Sequence, residues 1–219
     1  MNIALITSIY GGYDTLRALP PEHGFSEAIC VTDSPDLASP GWTVIVRPSG
    51  SDLDPRLAAK EAKCLPWEFT TLGSSVWIDG SMQVQSGALC AVAETYLSMW
   101  DLVVRQHPSG RVDVFEEAEF CQTVIKYNTM PLLEQVDNYK RRGLPVGSGL
   151  WECGVILRNH TSLLQQFGLE WYVQQARWSV QDQLSFPYLC WKYGVVPGAW
   201  QFDLWNNAFV QWRPHSDGT

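Results

Sequence analysis

The sequence predicts an α/β domain with a mostly parallel sheet flanked by helices. Three observations lead to this prediction. Short apolar runs alternate with longer amphipathic stretches along the chain, the order expected of strands joined by helices. The first run, residues 3–9, is nearly all apolar, as expected of a strand buried on both faces. No repeat, low-complexity tract or linker interrupts the 219 residues, a length that suits a single domain.

The first half of the chain contains most of the predicted strands. They span residues 3–9, 28–32, 42–46, 76–78 and 102–105. The first helix begins at Asp54-Pro55, where a capping carboxylate precedes a proline in the first turn, and it runs to about Leu65, where Pro66 ends it. A second helix is predicted over residues 88–100.

The second half is predicted to be mainly helical. Gly143 and Gly194 follow periodic segments, which is typical of helix ends. The predicted helices span residues 115–127, 131–142, 162–177 and 181–193, and one strand spans residues 154–157.

Composition narrows the class of protein. The net charge of −8 argues against non-specific binding to nucleic acid or anionic membranes, which needs a positive field. The six cysteines are scattered without a C-x-x-C pair, so we expect buried free thiols and no structural zinc. No segment reaches the roughly 18 apolar residues of a membrane span, and no basic leader opens the sequence. We therefore expect a cytoplasmic protein without a membrane partner.

A carboxylate follows the strand at residues 76–78. Ligands of open α/β sheets bind at the carboxyl ends of strands, so Asp79 is well placed to meet one. Gly80 lets the backbone turn tightly after it. The alternative is that Asp79 only caps the following turn.

Three cations share one side of the first helix. Arg56, Lys60 and Lys63 are spaced i, i+4 and i+7, which places them on one face. A diphosphate bound near Asp79 would need such cations. The alternative is an ordinary solvated face.

Other polar residues follow predicted strands. Thr7, Ser8 and Tyr10 come at the end of the first strand and are expected to line the same cleft. Asp33 closes the second strand, where it either accepts hydrogen bonds from a ribose or base or forms an Asx-turn before Pro35.

Candidates for acceptor binding and catalysis lie in the second half. Glu152 follows the Gly-rich loop at residues 147–149, and this loop is a candidate to shape an acceptor site. Asp182 and Gln183 are in the first turn of a predicted helix, where a carboxylate either interacts with the helix dipole or points into a cleft.

The C-terminal tail, residues 203–219, is too apolar for a loose terminus. We expect Trp205, Phe209 and Trp212 to pack back on the domain, so that the tail closes over the ligand as an ordered lid. This packing would bring His215 towards the cleft. The alternative is that the aromatic residues anchor the tail while His215 stays in solvent.

Five motifs taken in order resemble one known family. They are Ile-Tyr-Gly-Gly-Tyr-Asp at residues 9–14, Val-Thr-Asp at 31–33, Trp-Ile-Asp-Gly at 77–80, Gly-Leu-Trp-Glu-Cys-Gly-Val at 149–155 and Asp-Gln-Leu-Ser-Phe at 182–186. Over nearly the whole chain they resemble the glycosyltransferase-like family of the plant mucilage-related galacturonosyltransferase-like proteins, which has many bacterial and phage members. The resemblance implies a GT-A-like fold and sugar transfer from a nucleotide donor.

The chain is also distantly similar to the glycogenin-like transferases. Their Asp-x-Asp metal motif would fall on Asp79-Gly80-Ser81, so the second carboxylate is missing here. This similarity implies a divalent cation, Mn²⁺ or Mg²⁺, held by Asp79 with His215 as the positional candidate for a further ligand. It also aligns their acceptor motif near Glu152 and their Asp-Gln with residues 182 and 183.

The leading hypothesis is therefore a hexosyl- or pentosyltransferase acting on a hydroxyl of a protein, a modified DNA base or a glycan. Residues 1–106 are expected to bind the nucleotide-sugar, and residues 107–219 the acceptor. The alternative is a nucleotide-sugar- or carbohydrate-binding protein that has lost catalysis. A glycoside hydrolase is disfavoured because the helix cations indicate a phosphate ligand. The expected catalytic residues are Asp182, Gln183 and Glu152; the expected donor-binding residues are Thr7, Ser8, Tyr10, Asp33, Arg56, Lys60, Lys63 and Asp79.

Overall fold

The computed structural model describes residues 1–50, 53–203 and 207–215. These residues form nine strands: Ala4–Ile9 (β1), Glu27–Thr32 (β2), Thr43–Val46 (β3), Ser74–Ile78 (β4), Met82–Val84 (β5), Leu102–Gln106 (β6), Trp151–Asn159 (β7), Gly198–Trp200 (β8) and Val210–Trp212 (β9). They also form six α-helices: Pro55–Cys64 (α1), Ala88–Leu97 (α2), Val114–Gln122 (α3), Leu132–Arg141 (α4), Ser162–Arg177 (α5) and Asp182–Tyr193 (α6).

Seven strands make one sheet in the order β3-β2-β1-β4-β7-β6-β8. Neighbouring strands are parallel except where β7 pairs with β4 and with β6. All six residues of β1 are buried, as predicted for a central strand. The α/β class and the mostly parallel sheet flanked by helices are thus confirmed.

Helices cover both faces of the sheet. The larger apolar core lies between the sheet and α1, α3, α4, α5 and α6. A second core lies on the other face, under α2. All six cysteines are buried and unpaired.

Several helix boundaries follow their sequence signals. The side chain of Asp54 accepts a hydrogen bond from the Arg56 amide at the start of α1. Gly194, at a φ of 64°, ends α6 in the left-handed conformation. Helix α3 stops at Gln122 and not at residue 127, because its last turn tightens where β-branched residues 123–125 begin. Strands β5, β8 and β9, three residues each, were missed.

The topology brings distant segments to one edge of the sheet. Since β1 and β4 are parallel, their carboxyl ends meet there, and antiparallel β7 contributes its amino end. The Asp79 amide donates to the Gly154 carbonyl at 2.9 Å, which joins the first residue after β4 to β7. No helix in the described part of the chain is both long enough and apolar enough to span a bilayer.

Candidate active site

A cleft of about 460 Å³ opens at this edge of the sheet. Eight of the sequence-predicted site residues line it: Ser8, Arg56, Lys60, Asp79, Glu152, Asp182, Gln183 and His215. The fold therefore gathers residues from β1, α1, β4, β7, α6 and the tail around one space.

Four predicted donor-binding residues are absent from the described cleft lining. Tyr10 donates its hydroxyl to the Arg47 carbonyl at 3.0 Å, and Asp33 accepts from the Gly11 amide at 3.1 Å. Asp33 therefore holds the loop after β1. Thr7 is buried within that strand, and Lys63 lies beneath the cleft floor. Direct donor contacts predicted for these residues are not supported by their positions.

Two lysines and two aspartates form an ion-paired network at the cleft floor. Lys60 and Lys63 place their Nζ atoms 2.7 and 2.5 Å from Oδ2 of Asp182. The same Lys63 ammonium lies 3.0 Å from Oδ1 of Asp79, which also accepts from the Trp77 indole at 2.8 Å. The side chain of Lys63 is 1% exposed and that of Asp182 is 9% exposed, so this part of the network is shielded from water.

The network keeps its two most buried members, Lys63 and Asp182, in their charged forms. Burial alone would raise the pKa of Asp182, but the ammonium groups of Lys60 and Lys63 hold it well below its usual range. Burial would lower the pKa of Lys63, yet Asp182 and Asp79 reverse the effect and raise it. Asp182 is accordingly ionised and Lys63 is protonated at neutral pH.

The buried Arg158 of β7 contacts the last turn of α1. Its guanidinium donates to the carbonyls of Lys63 at 2.6 Å and Cys64 at 3.2 Å. These are carbonyls of the last turn of α1, which lack partners within the helix. Arg158 thus ties the end of α1 to the sheet and fixes the backbone from which the Lys63 side chain extends.

Glu152 faces the network from the first residues of β7. Burial raises the pKa of the Glu152 carboxyl, and the hydrogen bond from Arg105, 2.7 Å long, opposes the rise. Gln183 also lines the cleft, and its Oε1 accepts a hydrogen bond from the side-chain amide of Gln181 at 3.2 Å. The cleft therefore holds carboxyl groups in two different environments.

The described tail packs back on the domain. Strand β9 pairs with β5, and Phe209 lies 4.5 Å from Phe202 between ring centroids. Trp212 and His215 line the cleft. The tail thus lies over one side of the cleft in this structure, while the predicted packing of Trp205 falls outside the described residues.

His215 is held by a residue that the sequence did not mark as a site residue. Its Nδ1 lies 2.7 Å from Oδ1 of Asp14, and its ring centroid is 4.3 Å from that of Tyr13. Tyr13 and Asp14 belong to the 9–14 motif, so the signal that could have identified them was present. Gly80 lies against Asp14, because a Cβ at residue 80 would come within 2.8 Å of Oδ2.

A further cation, Lys126, lines the cleft from the turns after α3. Its Nζ is 3.2 Å from the Tyr13 hydroxyl and 5.1 Å from the centroid of that ring. Arg56 donates to the Lys126 carbonyl at 3.2 Å, so the two cationic residues are adjacent. Lys126 lies in a segment predicted to be helical, and no local pattern distinguishes it.

The residues present do not fit a ready-made divalent-cation site. Within the described ranges no group of three His, Cys, Asp or Glu side chains is arranged to hold a metal ion. Oδ1 of Asp79 already accepts from Lys63 and Trp77, and the residue two positions on is Ser81. The metal role expected of Asp79 and His215 thus stays a prediction.

Fold and cleft together define an α/β protein with a strand-end site suited to an anionic ligand. Residues 38–211 match the family model described as "TOD1/MUCI70, glycosyltransferase-like domain", and the chain belongs to this family. It is 29% identical over 161 residues to the probable hexosyltransferase MUCI70 of Arabidopsis thaliana. That match covers 66% of this chain but only 26% of the plant protein, so the chain spans about a quarter of its relative.

Among solved structures, the apo form of the bifunctional glycosyltransferase WbbM is similar to this chain. The sequence identity is 11%, and the TM-score is 0.48. The match covers 93% of this chain and 39% of the other.

Proposed function

We propose that this protein is a glycosyltransferase that moves a sugar from a nucleotide-sugar to a hydroxyl acceptor. Lys60 and Lys63 of α1 pair with Asp182 and Asp79 in a cleft at the ends of the strands. This observation, in a chain of the glycosyltransferase-like family, carries the proposal. The plant relative is named a probable hexosyltransferase, so hexose donors are the first to test. Transfer of a pentose is the second choice.

The donor diphosphate would bind along the cationic side of the cleft. Arg56, Lys60 and Lys126 all line it, on neighbouring segments. In glycosyl transfer the departing diphosphate gains negative charge, and preorganised cations stabilise it without rearrangement. Each charge-assisted hydrogen bond of this kind contributes about 1.5–3 kcal/mol.

The two carboxyl environments suggest two roles. A general base works best when its pKa is near the working pH, so the lowered pKa of Asp182 makes it a poor proton acceptor. Its charge instead holds the lysines in place and would stabilise the positive charge that develops at the anomeric carbon. Glu152, whose pKa is raised by burial, is the better candidate to accept the proton of the acceptor hydroxyl.

The acceptor we favour is a glycan. Tyr13, Tyr127 and Trp212 line the cleft, and aromatic faces suit the apolar faces of sugar rings. The net charge of −8 disfavours a modified base in DNA, because it repels the phosphate backbone. A protein hydroxyl is the remaining alternative.

Turnover separates the proposal from binding alone. We would incubate the protein with a panel of nucleotide-hexoses and pentoses plus glycan acceptors, and measure released nucleoside diphosphate and glycosylated product. Glu152→Gln should bind donor normally and lose most transfer, while Lys140→Ala, an exposed cation on α4, should match the wild type. Donor binding without any turnover across the panel would favour a carbohydrate-binding protein that has lost catalysis.

A further inference from the structure

We propose that lysine ammonium groups neutralise the donor diphosphate in this protein without a divalent cation, and that Lys63 lies between Asp79 and Asp182 where such a cation would bind. This inference rests on the proposed function, because it concerns how the same cleft binds its donor. It departs from the metal site that the distant resemblance implies.

Lys63 has two carboxylates around its ammonium group. Its ammonium lies 3.0 Å from Asp79 and 2.5 Å from Asp182, so it bridges the two carboxylates. It also lies 5.6 Å from the centroid of the Trp77 ring, a favourable position for a cation. Bridging two carboxylates is the task that a bound cation performs, and here a side chain performs it.

The cleft floor contains two positive and two negative side chains. Lys60 and Lys63 balance the charges of Asp79 and Asp182. A divalent ion on Asp79 would therefore meet a neighbouring ammonium that cannot move away into water, because Lys63 is 1% exposed. The two cations would repel, although the carboxylate of Asp79 is 40% exposed and water weakens the repulsion there. The fixed charges of Lys60 and Lys63 therefore reduce the attraction of the floor for a metal ion.

Cationic side chains also line the cleft surface, where a ligand would meet them. Lys60, at 20% exposure, is the member of the network that reaches the cleft surface. Arg56 and Lys126 line the same side, and Arg56 donates to the Lys126 carbonyl. These side chains place cationic groups around the space where a diphosphate would lie. Donor binding therefore draws on fixed charges of the protein.

The position of Lys63 is also rigid. Arg158 holds the carbonyls of residues 63 and 64, so the last turn of α1 is attached to β7. The Lys63 side chain itself is 1% exposed, and moving its ammonium aside to admit a metal ion would break its contacts with Asp79 and Asp182 and leave Asp182 with a single cation. The structure thus favours the lysine as a permanent part of the site.

The test is calorimetric binding of nucleoside diphosphates to the wild-type protein. UDP, GDP, ADP and CDP are titrated in EDTA and again with Mn²⁺. We expect at least one to bind with the same affinity in both conditions. In EDTA, Lys60→Ala should weaken that binding about tenfold or more, the loss expected for one charge-assisted hydrogen bond. Lys140→Ala, the matched exposed cation on α4, should bind as the wild type does.

Three results would overturn the inference, and they differ in what they say of the proposed function. Binding that appears only with Mn²⁺ and is lost in Asp79→Asn would restore the metal site and leave the glycosyltransferase proposal intact. Absence of binding in both conditions, by a folded protein that also fails the turnover assay, would refute both proposals. Unchanged affinity of Lys60→Ala would likewise exclude the lysine role.

Discussion

Replacing Lys63 by Met tests whether the buried network holds the cleft floor together. The variant keeps an unbranched side chain of similar length but leaves Asp182, 9% exposed, with Lys60 as its remaining cation. Removing one partner of a buried ion pair costs about 3–5 kcal/mol. Because Lys60 remains 2.7 Å from the carboxylate, we expect the lower end, about 3 kcal/mol. In a chain of this size that loss lowers the melting temperature by about 6–12 °C.

The loss should depend on pH in a defined direction. The pKa of Asp182 is lowered in the folded wild type, so its stabilising effect is present above the unfolded-state pKa of about 4 and is lost as pH falls. The stability difference between wild type and Lys63→Met should therefore be largest near pH 7 and shrink below about pH 4.

Urea denaturation followed by circular dichroism at several pH values measures this difference. Lys140→Met, which removes an exposed cation from α4, is the matched control and should stay within about 0.5 kcal/mol of the wild type. A loss below about 1 kcal/mol at pH 7, or one that does not change with pH, would refute the reasoning.

Three further predictions concern the cleft and its support. Asp182→Asn should keep donor binding measurable by calorimetry while sugar transfer falls by orders of magnitude; a variant that transfers normally per folded molecule would show that Asp182 acts only in folding. Gly168→Ala should destabilise the fold by about 1–3 kcal/mol in thermal unfolding, because its Cβ would come within 2.2 Å of the Cys64 carbonyl; a neutral result would mean that α1 and α5 separate easily. Deleting residues 213–219 spares β9 but removes the His215–Asp14 contact, and should weaken donor affinity without unfolding the domain; unchanged binding and turnover would exclude a closing role for the tail.

The sequence predicted the elements whose signals are local. Asp54-Pro55 marks the start of helix α1, and Gly194 marks the end of α6. Both signals act through neighbouring backbone groups. Asp79, which follows a short apolar run, also lines the cleft as expected. Such features depend on a few adjacent residues, so one sequence suffices to find them.

Features that depend on partners distant in sequence were harder to predict. Spacing placed Arg56, Lys60 and Lys63 on one side of α1, but it does not say that Lys63 is buried beneath Asp182, 119 residues away. Strands β5 and β9 are three residues each, and their pairing arises only from tertiary contact. The antiparallel direction of β7 and the position of Lys126 in the cleft likewise depend on how the whole chain folds.

The tail contacts have a consequence for synthesis on the ribosome. Strand β9 completes the small sheet with β5, and His215 meets Asp14 across a separation of 201 residues. Domains emerge at about 5–20 residues per second, amino-terminal segments first. Strand β5 is therefore synthesised several seconds before β9, and during that time its edge has no partner strand. A nascent chain released before residue 210 would lack β9 and the His215–Asp14 contact, so premature termination would leave the cleft incomplete.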